Sequence, residues 1–283
     1  MSFAAIRHTF IIIILMSLPS LYAANILLDI GGVLLKNSKL KAFRQIGALA
    51  LFKLMLSGNN PCKIKSRLFK LLHNIEATGP NSFGAEDGSG NKLPDIMCDW
   101  LAGTKKNQEI KDQVLRYIEK NPDKFIKNQA ENIFLQNAVN TMFTPEYMVN
   151  IQNIVTESMK FVKECKDNKH NICILSNYEA DCFMLAKEIF SEIFDLFDEK
   201  NIVISGEIGL IKPDPQFYRT ALEQLKIDDP KTCIFFDDQE VNIAAAEQCG
   251  ITGILCKKPS YKHMKEALET FMSSHKNCSV SPT

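Results

Sequence analysis

From about residue 171 onward, short apolar runs alternate with stretches of helical periodicity, and few folds accommodate that rhythm. Residues 171–175 (NICIL), 202–205 (IVIS), 233–236 (CIFF) and 251–255 (ITGIL) are the apolar runs. Runs this short and this apolar read as strands buried on both faces. Between and after them, residues 178–190, 214–225, 241–249 and 261–272 repeat apolar side chains at three- and four-residue spacing, which predicts helices. Pro213 and Pro215 mark the start of one helix, and Gly250 is placed to close another. Strand–helix alternation of this kind predicts a parallel sheet with helices on both sides.

The first strand of that sheet comes from the other end of the chain. Residues 26–28 (ILL) form an apolar run ending at Asp29, and Gly31-Gly32 then allows a sharp turn. Helical patterns follow at 39–56, 63–77, 95–102, 108–119 and 131–142, with a Gly- and Pro-rich loop at 78–94. A further helix is expected over 145–166, opened by Pro145. The expected fold is therefore α/β: a parallel-sheet core from residues 24–37 and 145–283, with residues 38–144 inserted as a helical cap. Ligands of open α/β sheets bind at the carboxyl ends of the strands, where such an insert is placed to act as a lid.

Residues 1–23 read differently. Arg7 and His8 precede an Ile- and Leu-rich run from Phe10 to Met16, and small residues follow, ending Ala23-Ala24. A basic start, a short apolar stretch and small residues compose a secretory signal. The expectation is a secreted or periplasmic protein with no stable membrane partner after cleavage; an uncleaved anchor is the alternative. Lysine plus arginine equals aspartate plus glutamate at 33 each, so no basic excess exists to bind nucleic acid. The nine cysteines contain no CxxC pair and no zinc spacing, and they read as buried thiols.

Four features fall at the carboxyl ends of expected strands: Asp29, Ser176-Asn177, Lys212 in GLIKPDP, and Asp237-Asp238. Each alone has a structural reading as a turn, a helix cap or a surface charge. Asp237-Asp238 is the sharpest, because adjacent carboxylates after a buried strand repel unless a cation or a pKa shift relieves them. A hard divalent ion with oxygen ligands is one solution. Together the four supply what phosphoryl transfer needs. Asp29 can be the nucleophile. Asp29 and Asp238 can share a metal with Asp237 in or near its shell. Ser176 and nearby amides can donate to phosphate, and Lys212 can pair with both phosphate and Asp29.

The stretches LLDIGGVLL, ILSN, GEIGLIKPDPQFY and FFDDQEVNIAAAEQCGI resemble, in order and context, the motifs of the haloacid dehalogenase superfamily, in the group with a helical cap after the first motif. The resemblance spans the core from residue 25 to about 255. It implies an aspartyl intermediate at Asp29 and magnesium held by Asp29, the Gly31 carbonyl and Asp238. It also implies a Rossmann-like core, phosphate binding by Ser176 and Lys212, and a small phosphorylated molecule as substrate; Asn177, beside Ser176, is a further candidate phosphate contact.

One position departs from the pattern. Phosphatases of this superfamily usually place a second Asp two residues after the nucleophile, as general acid and then base. Gly31 stands there. General acid–base help is worth roughly 10²–10⁴-fold, so a slower enzyme, or one using good leaving groups, is expected. Two further readings stay open: a dehalogenase-like hydrolase, and a catalytically weak phospho-ligand binding protein. Paired Asp237-Asp238 argues against the first, since the dehalogenase branch needs no metal. The remaining residues of note are Asn242, which can orient the metal ligands or cap its helix, and Trp100, Tyr147 and the histidines, read as packing or surface residues.

Overall fold

A computed structural model describes residues 23–56, 61–77, 79, 84–87, 90–126 and 128–278. The signal-sequence reading falls outside these residues except for Ala23, and part of the 78–94 loop is outside them as well. Among the described residues, no helix is long and apolar enough to cross a membrane.

The elements run β1 (Asn25–Leu28), β2 (Leu35–Asn37), α1 (Lys39–Ile46), α2 (Ala48–Leu56), α3 (Pro61–Leu72), α4 (Asp95–Leu101), α5 (Asn107–Lys120), α6 (Pro122–Phe125), α7 (Gln129–Phe143) and α8 (Pro145–Asn150). They continue with β3 (Gln152–Ile154), α9 (Thr156–Asp167), β4 (Asn171–Ser176), α10 (Ala180–Ile189), α11 (Ser191–Phe194), β5 (Ile202–Ile204) and α12 (Ser205–Ile208). The last are α13 (Pro215–Gln224), β6 (Cys233–Asp237), α14 (Glu240–Gln248), β7 (Thr252–Leu255) and α15 (Tyr261–Cys278).

β1, β4, β5, β6 and β7 form one parallel sheet in the order β5-β4-β1-β6-β7. Successive side chains of a strand face opposite ways, and both faces are apolar here. Ile26, Leu28, Ile174, Ile234 and Phe236 pack with Phe161, Phe183 and Met264 on one side. Leu27, Cys173, Leu175 and Phe235 pack with Phe217, Tyr218 and Ala246 on the other. The first strand in sequence is thus the central strand in space. Leu28 pairs with Ile174 on one side and Phe236 on the other. The strand ends at Asp29, Ser176 and Asp237 therefore arrive together at one edge.

Two expected helices are broken. The 39–56 stretch divides at Gly47, whose φ of 104° a side chain would strain. The 145–166 stretch divides after Asn150, because Gln152–Ile154 pairs antiparallel with Leu35–Asn37. Neither three-residue strand carries an apolar run, so periodicity gave no sign of them. This ladder joins the two places where the chain passes between sheet and inserted helices. Elsewhere the expected elements and their observed bounds differ by a few residues, and Gly250 follows α14 with φ 84°.

The inserted helices gather around α7, which packs against α1, α2, α5 and α8. Trp100 is buried, with its ring edge-on to Phe143 at 5.4 Å and its N–H donated to Asn107. The same Asn107 donates to Glu179, at the start of α10, at 2.9 Å. Ser205 donates to the Leu101 carbonyl at 2.6 Å. Between these bonds Gly103 lies so close to Gly206 that a Cβ there would come within 2.6 Å of the Gly206 carbonyl oxygen. The insert is seated directly on the strand-end loops.

Candidate active site

Asp29 begins the site. Its N–H continues the ladder to the Phe236 carbonyl at 3.0 Å, which fixes the residue at the end of β1. The chain then folds tightly, with Leu34 and Leu35 both donating to the Ile30 carbonyl. Gly32 sits at φ 76°, and a Cβ on it would lie 2.2 Å from Asp238 Oδ2. Gly32 is therefore required by the close approach of Asp238. Gly31 is different: its Cβ position is open, and the nearest atom is Asp29 Oδ2 at 3.7 Å.

Lys212 is buried to 1% exposure and is the cation of the site. Its ammonium donates to Asp29 Oδ1 at 2.8 Å, Asp237 Oδ2 at 2.7 Å and the Leu175 carbonyl at 3.0 Å. A lysine has three donors, so all are committed. Burial works against its charge, but Asp237 and Asp29 outweigh burial, and the pKa is raised. Asn177 fixes the lysine main chain: its amide donates to the Lys212 carbonyl at 2.8 Å and accepts from the Lys212 N–H at 2.7 Å. The Asn177 side-chain amide is thus engaged at both ends by Lys212.

Asp237 is fully buried, and both its oxygens are held by the protein. Oδ1 accepts from the Gln239 N–H at 2.8 Å, Oδ2 accepts from Lys212, and the Asn242 amide reaches both at 3.1 Å. Asn242 thus orients this carboxylate rather than capping its helix. Tyr218, which sequence reasoning did not single out, braces the same turn by donating to the Asn242 carbonyl at 2.8 Å. Ser176 accepts from the Ile30 N–H at 3.4 Å, which ties the end of β4 to the turn after Asp29.

Asp29, Asp237 and Asp238 each bring a carboxylate oxygen within 4.8 Å of the others. Against three formal negative charges stands one lysine among the described residues. Desolvation raises Asp29 to about 6, with Lys212 opposing and Asp237 adding to the rise. Desolvation, then Asp29 and Asp237, raise Asp238 to about 7. A divalent cation fits this set, since the donors are hard oxygens and the deficit is two charges. Asp29 and Asp238 keep oxygens for it, whereas those of Asp237 are engaged.

The other residues of note lie apart. Tyr147 is half-exposed, and His73 and His263 are exposed. His170 departs from the surface reading: it is half-buried, accepts from the Ala24 N–H at 3.2 Å, and burial lowers its pKa.

The chain is similar in sequence or fold to several known proteins. A sesquiterpene phosphatase of Aspergillus oryzae, astK, is 32% identical over 111 residues, which are 39% of this chain and 50% of that protein. The bifunctional epoxide hydrolase 2 of Rattus norvegicus is 31% identical over 88 residues, 30% of this chain and 15% of that protein. The alignments thus span half or less of the length of these curated relatives. A crystal structure of an HAD family enzyme from Bacteroides thetaiotaomicron, in complex with magnesium and inorganic phosphate, superposes with a TM-score of 0.54 at 16% identity, covering 86% of this chain and 98% of that one. That likeness is one of fold. Residues 24–250 match the family model for haloacid dehalogenase-like hydrolases. With a match over most of its length and the Rossmann-like sheet to go with it, the chain belongs to the haloacid dehalogenase-like hydrolase family.

Proposed function

We propose that this hydrolase is a magnesium-dependent phosphomonoesterase acting on a small phosphorylated molecule through an aspartyl-phosphate at Asp29. The observation that carries the reading is the Asp29–Lys212–Asp237 triad beside Asp238: a buried nucleophile held by a buried cation, with a surplus of two negative charges. Asp29 Oδ2, which Lys212 does not hold, forms the bond to phosphorus. The phosphorus–oxygen ester bond breaks, and the leaving oxygen keeps the electron pair. With Gly31 in place of an acid, that oxygen leaves as a stable anion or takes its proton from water. Water then cleaves the acyl phosphate, which restores Asp29 and releases inorganic phosphate.

Lys212 holds the free Asp29 carboxylate ionised and in one rotamer for attack, and Asp237 and Asn177 hold Lys212. Ser176 steadies the turn behind Asp29. Asp29, the Gly31 carbonyl and Asp238 would bind the magnesium ion, whose charge would offset the carboxylates and the phosphoryl oxygens. The name of the Aspergillus relative supports a phosphate ester as substrate class.

Hydrolysis of p-nitrophenyl phosphate by the purified chain, with and without a chelator, tests the reading. Activity that requires magnesium and vanishes in Asp29→Asn is expected. Haloacid hydrolysis that survives the chelator would replace the proposal with the dehalogenase-like alternative. Phosphate binding without turnover would replace it with the binding-protein alternative, which Gly31 motivates.

A further inference from the structure

The chain is neutral as a whole, but its charge is segregated. Between Asp29 and Glu76 there is no acidic residue, whereas nine lysines and arginines fall there. That leaves 24 of the 33 basic residues to set against all 33 acidic ones in the rest of the chain. The same segment exposes apolar surface. Leu40 and Phe43 of α1, and Leu49, Phe52, Met55 and Leu56 of α2, are 41–72% exposed. In each helix these residues recur at three- and four-residue spacing, so they share a face. The opposite face is anchored: Ala50 and Leu54 are buried, both helices pack on α7, and Asn137 donates to the Ile46 carbonyl at 2.8 Å.

Basic side chains flank this apolar face. Lys39 and Arg44 lie one position from Leu40 and Phe43, and Lys53 follows Phe52; all three are exposed. No carboxylate among the described residues pairs with them. Apolar residues flanked by unneutralised lysine and arginine on short helices suit the interface of an anionic bilayer. We infer that the α1–α2 face docks on membrane surfaces carrying anionic phospholipid. This departs from the expectation that the released chain has no membrane partner.

The charge pattern selects this occupant over others. A second copy meeting the same face through a two-fold axis would set lysine against lysine. Residues 1–22 contain Arg7 and no acidic residue, so they offer no countercharge. At an anionic surface the apolar side chains leave water while the lysine stems extend to the head groups. The acidic remainder of the molecule is repelled, which orients the inserted helices toward the lipid.

Co-sedimentation of the full chain with phosphatidylcholine vesicles, with and without phosphatidylserine, tests this. Binding is expected with the anionic vesicles alone and is expected to weaken with salt. Lys39→Gln/Arg44→Gln/Lys53→Gln should weaken it about 100-fold, at about fivefold per basic residue. Leu49→Ser/Phe52→Ser/Leu56→Ser should remove it. A direct readout comes from F52W, whose emission should shift to the blue and be quenched by brominated anionic lipid; the native Trp100 is buried. This readout stands even where a triple variant fails to fold. Equal binding to neutral vesicles, binding unchanged in both folded triple variants, or unresponsive F52W emission would each overturn the inference. So would self-association relieved by the apolar substitutions without any vesicle binding, since the face would then join two copies.

Discussion

The side-chain amide of Asn177 bonds both the N–H and the C=O of Lys212, so the residue after β4 sets the backbone of the lysine that neutralises Asp29. Asn177→Ala leaves two main-chain groups of a buried residue without partners. Each such loss costs about 1–3 kcal/mol. Thermal melts should show the destabilisation. The proposed phosphatase activity should fall in kcat more than in KM, because the change misplaces Lys212 rather than removing a substrate contact.

Lys212→Met tests the charge balance. It leaves the buried Asp29 and Asp237 facing one another without a cation. Breaking a buried pair this way costs roughly 3–5 kcal/mol. The carboxyls can escape by protonation, and the Asp29 carboxyl, already raised, rises further. Urea melts should show a large loss at pH 8 and partial recovery at pH 5.

The raised acids give a stability profile in the metal-free protein. Asp29 at about 6 and Asp238 at about 7 lie above the ordinary aspartate value of 3.8. The folded state therefore binds protons that the unfolded chain has released. Their contribution is fully present below the ordinary value and is lost as pH rises through about 6 to 7. Melting temperature in a chelator should fall across that window. Added magnesium should raise it more at pH 8 than at pH 5, since the ion competes with those protons.

The adjacent glycines should separate cleanly. Gly31→Asp has room, and its Cβ faces the free oxygen of Asp29 at 3.7 Å. It should fold normally and turn over poor leaving groups faster, by up to roughly 10²-fold from restored acid catalysis. Gly32→Ala meets Asp238 at 2.2 Å from a positive φ, so Asp238 must shift. It should lose magnesium-dependent stabilisation in a thermal melt.

The strand ends were legible in the sequence because apolar runs are the strongest local signal. Asp29, Ser176 and Asp237 were visible at those ends, whereas Lys212 lies beyond α12, in the loop that leads to α13. The ladder of β2 and β3 was hidden, since LKN and QNI have no pattern of their own and exist through each other. The division of labour between Asp237 and Asp238 was also hidden. Neighbouring identical side chains differ here in what surrounds them: Asn242, Gln239 and Lys212 occupy one, and the other stands beside Gly32. Whole-chain neutrality concealed the basic α1–α2 face, because a sum erases position.

The same short ladder has a consequence for how such proteins diversify. Asn37 and Gln152 are paired across it, so the chain leaves and returns within one inter-strand step of about 5 Å. A tight turn could join those two residues and delete everything between them without disturbing the order of the parallel sheet. Grafting a foreign insert at that seam asks only that its own ends lie equally close. Recombination can therefore exchange the insert for another while Asp29, Lys212 and Asp238 keep their places.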